Sequence, residues 1–430
     1  MVESGWGSSR VGILVCIGAL LPSAAAHAGG LFLYEVGTSD IGFASAGYAA
    51  RANAPVTLLT NPAGMTRLDG IQVQVGTELV FANLTFAADP ATSPFLGTNN
   101  GGNAIGWLPT ASVFATFAPW KDFRFGLGIF NNFGAPERWD SGWLGRYYTT
   151  KTTLLGLSIM PGVAWNIIGG LSVGITFNAM YGHLSQSVAV QNLEPLAPDG
   201  SLSVTSNTWG FGGNVGLLYE FSPATRLGIT YTSPVKLSFS SSPTFSGLGS
   251  RLTALLEAAE LNSRTIDLGM TVPQTLMLSF YQAIGSKWAL MADVGWQNWA
   301  SFAMVELGIT TTPPVSLTSN LGYVNTWHGA VGAQVQVSEP WQINFGMAYD
   351  SSMTNAQDRA LMLAIADQWR LGAGAQVAVD EHWNIGFCSE LIWGGSPSVV
   401  EDRGPLAGHV SGAYDNFYML FFSLNFTWKS

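Results

Sequence analysis

From Leu171 to Tyr181 apolar residues hold every second position, Leu171, Val173, Ile175, Phe177, Ala179 and Tyr181, with Ser172, Gly174, Thr176, Asn178 and Met180 between them. A period of two is the period of a strand. The same alternation recurs over residues 71–81, 111–118, 123–130, 154–165, 209–221, 226–231, 275–283, 288–296, 327–337, 341–350, 369–379, 383–388 and 420–428. About fourteen strands follow, an even number of the size used by outer-membrane barrels. Their connections alternate in length. Short ones are "APWKD", "NIIGG", "SPAT", "GSK", "SEP" and "DEH"; long ones cover residues 83–108, 131–153, 185–208, 233–272, 311–325, 351–367 and 394–415. Short turns at one rim and long loops at the other predict an all-β chain: a transmembrane antiparallel β-barrel of about fourteen strands. Trp288, Trp341 and Trp383 each follow a short turn, and Trp120 lies in another, so they predict an interfacial belt.

Composition decides which face of these strands meets lipid. Only 10% of the 430 residues are charged while 47% are hydrophobic, against about 25% charged in an ordinary soluble domain. A soluble sandwich would lack the surface to dissolve it. Transmembrane helices are excluded too: the uncharged run 152–192 is cut by Pro161, Gly162, Asn166 and Gly169-Gly170. Gln72, Gln74, Glu78, Asp293, Gln334, Arg370 and Gln376 therefore suit a polar lumen, and the apolar face meets hydrocarbon. The net charge of −10 argues against nucleic acid as a partner.

Residues 1–28 read as a signal peptide: Arg10 closes a charged start, 11–21 are apolar, and Ala26-His27-Ala28 is a cleavage pattern for Sec-type export. Residues 29–70, rich in Gly and Ala without a sustained period, predict a hatch, or plug, that fills the lumen, and 71–430 the barrel. A monomer in the outer membrane, crossing it many times among lipid and lipopolysaccharide, is expected. Cys388 is left without a partner, so no intrachain disulfide is possible after cleavage.

The "NPA" at Asn61-Pro62-Ala63, "GLGIFNNFG" at 126–134, "NTWGFGGNVGLLYEFSPATRLGITYTSPVKLSF" at 207–239, "KWALMADVGWQNWASF" at 287–302 and "EPWQINFGMAYD" at 339–350 resemble, in order, the FadL family of outer-membrane long-chain fatty acid and hydrocarbon transporters. The resemblance implies a passive transporter of hydrophobic compounds, whether fatty acid, alkane or aromatic hydrocarbon. Substrate would be caught by extracellular loops and held near the hatch N-terminus, here Gly29, Gly30, Leu31 and Phe32. It would leave sideways through a kink at the end of the third strand, Phe130-Asn131-Asn132-Phe133-Gly134, governed by the hatch at Asn61 to Ala63. No Lys or Arg occurs between Trp288 and Gln357, so the later-strand cations that hold a carboxylate in such proteins have no counterpart there.

Two loop stretches carry candidate capture residues. "GWLGRYYTTK" offers Trp143, Arg146, Tyr147 and Lys151, an aromatic surface beside two cations; "RLTALLEAAELN" puts Leu252, Leu255, Leu256 and Leu261 roughly on one helical stripe, of which the first three are capture candidates. Each also fits a structural reading, a lipid-interface segment and a self-packed loop helix. Enzyme chemistry has little support. The five histidines show no metal spacing, no catalytic residue, metal or cofactor is expected, and a lipase built on His328 needs a neighbouring Ser that the pattern does not specify. A general diffusion porin for small polar solutes is the alternative function.

Overall fold

In the computed structural model, residues 33–194, 196–258, 264–309, 315–362 and 365–430 are described. The segment 1–28 expected as a signal peptide, and Gly29, Gly30, Leu31 and Phe32, lie outside them. Fourteen strands form the wall: β1 (Ile71–Asn83), β2 (Gly106–Phe117), β3 (Phe123–Arg138), β4 (Lys151–Ile168), β5 (Leu171–Val190), β6 (Gly200–Ser222), β7 (Thr225–Thr232), β8 (Thr275–Ile284), β9 (Trp288–Gln297), β10 (Thr326–Gln336), β11 (Trp341–Asp350), β12 (Gln368–Ala378), β13 (Trp383–Gly395) and β14 (Phe417–Lys429). Each pairs antiparallel with its neighbours in sequence, and β1 pairs with β14 from Gln72–Lys429 to Asn83–Tyr418, so the sheet closes without edges.

The alternation that opened the sequence sorts into two faces. Val75, Leu79, Leu127, Ile159, Ile175, Phe177, Phe345 and Phe387 are exposed on the outside, whereas Gln74, Glu78, Arg124, Asn178, Asp293, Asn344, Arg370 and Glu390 are buried inside. This inversion of a soluble protein is what a lipid-solvated closed sheet requires. Exposed indoles mark both rims: Trp120, Trp288, Trp341 and Trp383 by the short turns, Trp107, Trp209, Trp327, Trp369 and Trp393 toward the long loops.

Residues 33–70, the described part of the expected hatch, pack against the inner face of the wall. The 3-10 turn at Ser39–Phe43 packs on β10 to β14, and the turn at Pro62–Arg67 packs on β3 to β6. The long loops carry more structure than their composition suggests. Strands at Val235–Ser241, Ile266–Val272, Met304–Ile309 and Val315–Asn320 make a four-stranded sheet above the wall, and Phe86–Ala88, Ser398–Asp402 and His409–Tyr414 make a three-stranded one. β4, β5 and β6 run on into what reads in sequence as loop, because their hydroxyl-rich ends (Ser185, Ser187, Ser201, Ser203) hide the hydrophobic period but still pair.

Candidate functional site: the kinked third strand and the hatch behind it

β2 and β3 pair only from Phe117–Phe125 to Val113–Ile129. Above that, Gly106–Ser112 and Phe130–Glu137 have no ladder between them; the end of β3 next meets the chain just before β2, where Arg138 N–H donates to the Ala104 carbonyl at 2.7 Å. On its other side β3 stays paired with β4, with one shift: Asn131 opposes Leu157 and Phe133 opposes Gly156, so Asn132 is an extra residue, a β-bulge. Gly134 follows at φ +89°, and a Cβ there would overlap the Leu154 carbonyl, so only glycine fits. Pro109 on one lip and Pro136 on the other cannot donate ladder hydrogen bonds, which keeps the facing edges from zipping together. The expected kink at Phe130–Gly134 thus sits within β3 rather than at its end: the strand runs on to Arg138 because the bulge preserves pairing with β4.

The first described hatch residues lie directly behind this break. Leu33 N–H donates to the Asn132 carbonyl on one lip at 2.9 Å, and the Ser112 hydroxyl on the other lip donates to the Val36 carbonyl. Residues 33–36 therefore span the opening from inside. Below them Val36, Leu58, Phe114 and Phe130 share one apolar cluster, with Phe114 and Phe130 stacked at 5.5 Å. Asn61, Pro62 and Ala63, expected to govern the kink, are elsewhere. Asn61 donates to the carbonyls of Ala49 (2.7 Å) and Leu217 on β6 (2.9 Å) and accepts from Ala63 N–H. Gly174 and Gly216 leave the room this motif needs against the wall. Its role in the structure is an anchor on β5 and β6; the chain at the opening is Leu33–Val36.

Across the lumen from the kink, the hatch is held by charge. Arg370 on β12 is fully buried and pairs with Glu35 of the hatch, with Asp350 on β11 and, at 3.5 Å, with Glu390 on β13. His328 Nδ1 lies 2.8 Å from Asp350, and its ring packs 4.7 Å from Tyr34, whose hydroxyl accepts from Gln297 at 2.7 Å. Other inward groups serve hatch backbone: Glu78 accepts from Gly37 N–H, and Asp293 from Gly47 and Tyr48 N–H. Arg370 was legible in sequence as a lumen residue, but its hatch partner Glu35 was not, since 335 residues separate them. His328 Nε2 makes no hydrogen bond among the described residues, so no Ser–His pair assembles there.

The loop candidates divide. Trp143 is wholly buried, stacked on Trp139 at 4.0 Å with its indole N–H donated to Thr149; Tyr148 is buried as well. Arg146 binds Asp199 at 2.7 Å and the Leu96 carbonyl, and Tyr147 donates to Asp199 at 2.7 Å. Burial, helped by that carboxylate, pushes the Tyr147 hydroxyl up to about 12. The expectation of an exposed aromatic surface beside cations is not met: Trp143, Arg146 and Tyr147 make a packed corner, because the loop folds back on the residue 96–101 turn, and Lys151 stands apart, exposed at the start of β4. On the helix Ser250–Ala258, Leu252 and Leu256 are buried while Leu255 is exposed, so among the described residues the buried stripe is Leu252 and Leu256; Leu261 lies outside the described residues. Leu256 lines a cavity of about 430 Å³ with Pro243, Phe245, Leu248 and Thr253. Leu252 and Leu256 belong to a continuous apolar cluster that descends through Phe239, Val204, Leu184 and Met180 to Leu154 and Phe133 at the kink.

The model of the outer membrane protein transport proteins, OMPP1/FadL/TodX, matches residues 19–427. The chain is similar to the long-chain fatty acid transport protein of Salmonella typhi, 26% identical over 80% of this chain and 83% of that one. Its fold is similar to that of a Pseudomonas aeruginosa FadL homologue, with a TM-score of 0.82 at 19% identity over 93% and 99% of the two chains. It is similar also to that of the Ralstonia pickettii toluene transporter TbuX, at 0.65 and 17% over 93% and 99%.

Proposed function

This chain belongs to the outer membrane protein transport family OMPP1/FadL/TodX, a family of outer-membrane transporters of hydrophobic compounds, and from that premise we propose that it carries long-chain or aromatic hydrophobic molecules inward without an energy source, releasing them sideways through the break between β2 and β3. The observation that carries this reading is the unpaired stretch Gly106–Ser112 and Phe130–Glu137 with Leu33–Val36 laid across it. Substrate is first captured among the loops near Leu252 and Leu256. It then follows the apolar cluster toward Phe133 and the hatch N-terminus, Gly29 to Phe32. Displacing Leu33–Val36 unbars the opening. A sideways exit spares the molecule from crossing water, which costs about 0.8 kcal/mol per exposed CH₂.

Fatty acid, alkane and aromatic hydrocarbon all suit this path, but the lumen charges disfavour a carboxylate at its centre. Arg370 already faces Glu35, Asp350 and Glu390, so an added anion would meet more negative than positive charge. The porin alternative calls for an open bore, where the hatch lies. His328, the histidine on which an enzyme could have been built, faces Asp350 and Tyr34.

Liposomes carrying the protein test the reading. Sugars should enter no faster than in empty liposomes, while a labelled hydrocarbon should reach a trapped acceptor only when the protein is present. Rapid swelling in sugars would turn the reading to the porin.

A further inference from the structure

β4, β5 and β6 hold 18, 20 and 23 residues, where about ten cross a bilayer. Their upper ends therefore stand above the hydrocarbon. Because the register continues across β3 to β6, outward residues fall in rows. Asn131, Leu157, Tyr181 and Trp209 make one row, level with the upper aromatic belt. Below it the outer wall is apolar, with Ile159, Ile175, Phe177 and Phe211. Above it the character changes within one step.

The next rows are Gly134–Leu155–His183–Asn207, Pro136–Thr153–Ser185–Thr205 and Arg138–Lys151–Ser187–Ser203. His183 Nδ1 bonds Asn207 at 2.7 Å and Ser185 bonds Thr205 at 3.2 Å, which leaves a ladder of hydroxyls and amides facing outward. The top row begins with two exposed cations directly opposite each other on paired strands. Like charges so placed repel, and neither side chain is among the ion pairs formed by the described residues. Lys151 stands six residue steps from Leu157, about 20 Å along the strand and about 15 Å along the membrane normal at the usual tilt. The pair thus faces the sugar layer that stands over outer-leaflet acyl chains.

We propose that Arg138 and Lys151, with the hydroxyl rows beneath them, bind the phosphorylated saccharide of the outer-leaflet glycolipid, lipopolysaccharide. The phosphate sits between guanidinium and ammonium, the guanidinium supplying paired donors and the ammonium a point charge. Ser187, Ser203, Thr153 and Thr205 meet the sugar hydroxyls. A free phosphate would use the two cations but not those rows. These groups lie on the outer wall, so their binding is independent of what the bore carries.

The test uses the full mature chain in detergent freed of lipopolysaccharide. The readout is the midpoint of heat-modifiable gel mobility as rough lipopolysaccharide, the same material dephosphorylated by phosphatase, or inorganic phosphate is added. Phosphorylated lipopolysaccharide should raise the midpoint and saturate at least tenfold lower than the dephosphorylated form, and phosphate alone should saturate at least tenfold higher. The double variant Arg138→Gln, Lys151→Gln should lose that tenfold preference; without lipopolysaccharide its midpoint should equal or exceed that of the unsubstituted protein, since a repulsion has gone. Equal saturation by the two glycolipids, a preference surviving in the variant, or phosphate acting as well as glycolipid would each overturn the proposal. Should the double variant fail to assemble, the three additions to the unsubstituted protein decide alone.

Discussion

Removing Asn132 should close the wall. The bulge exists because two residues of β3, Asn131 and Phe133, take up one step of β4 each with Asn132 between them; deleting it lets β3 run straight. Phe130, Asn131, Phe133, Gly134, Ala135 and Pro136 would then face Ser112 down to Trp107 in continuation of the Val113–Ile129 register. Six antiparallel pairs hold about six ladder hydrogen bonds, and Pro109 and Pro136 lack donors, leaving about four. At about 1 kcal/mol each the closed wall gains about 4 kcal/mol, a shift of about a thousandfold in any opening equilibrium. Uptake of a radiolabelled hydrocarbon by cells should fall to the level of cells lacking the protein. Binding by purified protein should persist, because the loop cavity around Leu256 is untouched. Assembly is checked by heat-modifiable mobility. A folded variant that takes up hydrocarbon at the original rate would refute the lateral route and the reading of Leu33–Val36 as its bar.

Gly134→Ala puts a Cβ into the Leu154 carbonyl at a φ of +89°, a backbone cost of about 1–2 kcal/mol before any clash. Reduced yield of heat-modifiable barrel should be seen, whereas the flanking Asn131→Ala should assemble normally. Arg370→Gln leaves Glu35, Asp350 and Glu390 without their common cation. By the rule for a broken buried pair this costs about 3–5 kcal/mol, read as a lower unfolding midpoint and faster proteolysis of the hatch. A fatty acid should bind no more than tenfold tighter than a neutral hydrocarbon of equal length, about 1.4 kcal/mol. A larger preference, measured by competition, would show a cation free to hold the carboxylate.

All fourteen wall strands were legible in the sequence, and so was the side each presents to lipid, because a strand solvated by hydrocarbon must alternate and the turns between strands are short and polar. Gly134 was legible as the place of a bend, and the fall in charge to 10% said what the outside must be. Local pattern could not show where β3 ends or which hatch residues stand behind it. Strand pairing beyond Asn131 depends on β4, and the bar at Leu33–Val36 depends on a carbonyl and a hydroxyl from separate strands, Asn132 and Ser112. The same limit hid the Glu35–Arg370 clasp and misplaced Asn61–Ala63, whose anchor is Leu217. It also made Trp143 look like surface, since an aromatic in a polar loop has the same sequence signature whether it is covered or bare. Alternation is a property of neighbours along the chain and survives in the sequence; contacts across a lumen are made by closing the sheet, and only the closed sheet decides them.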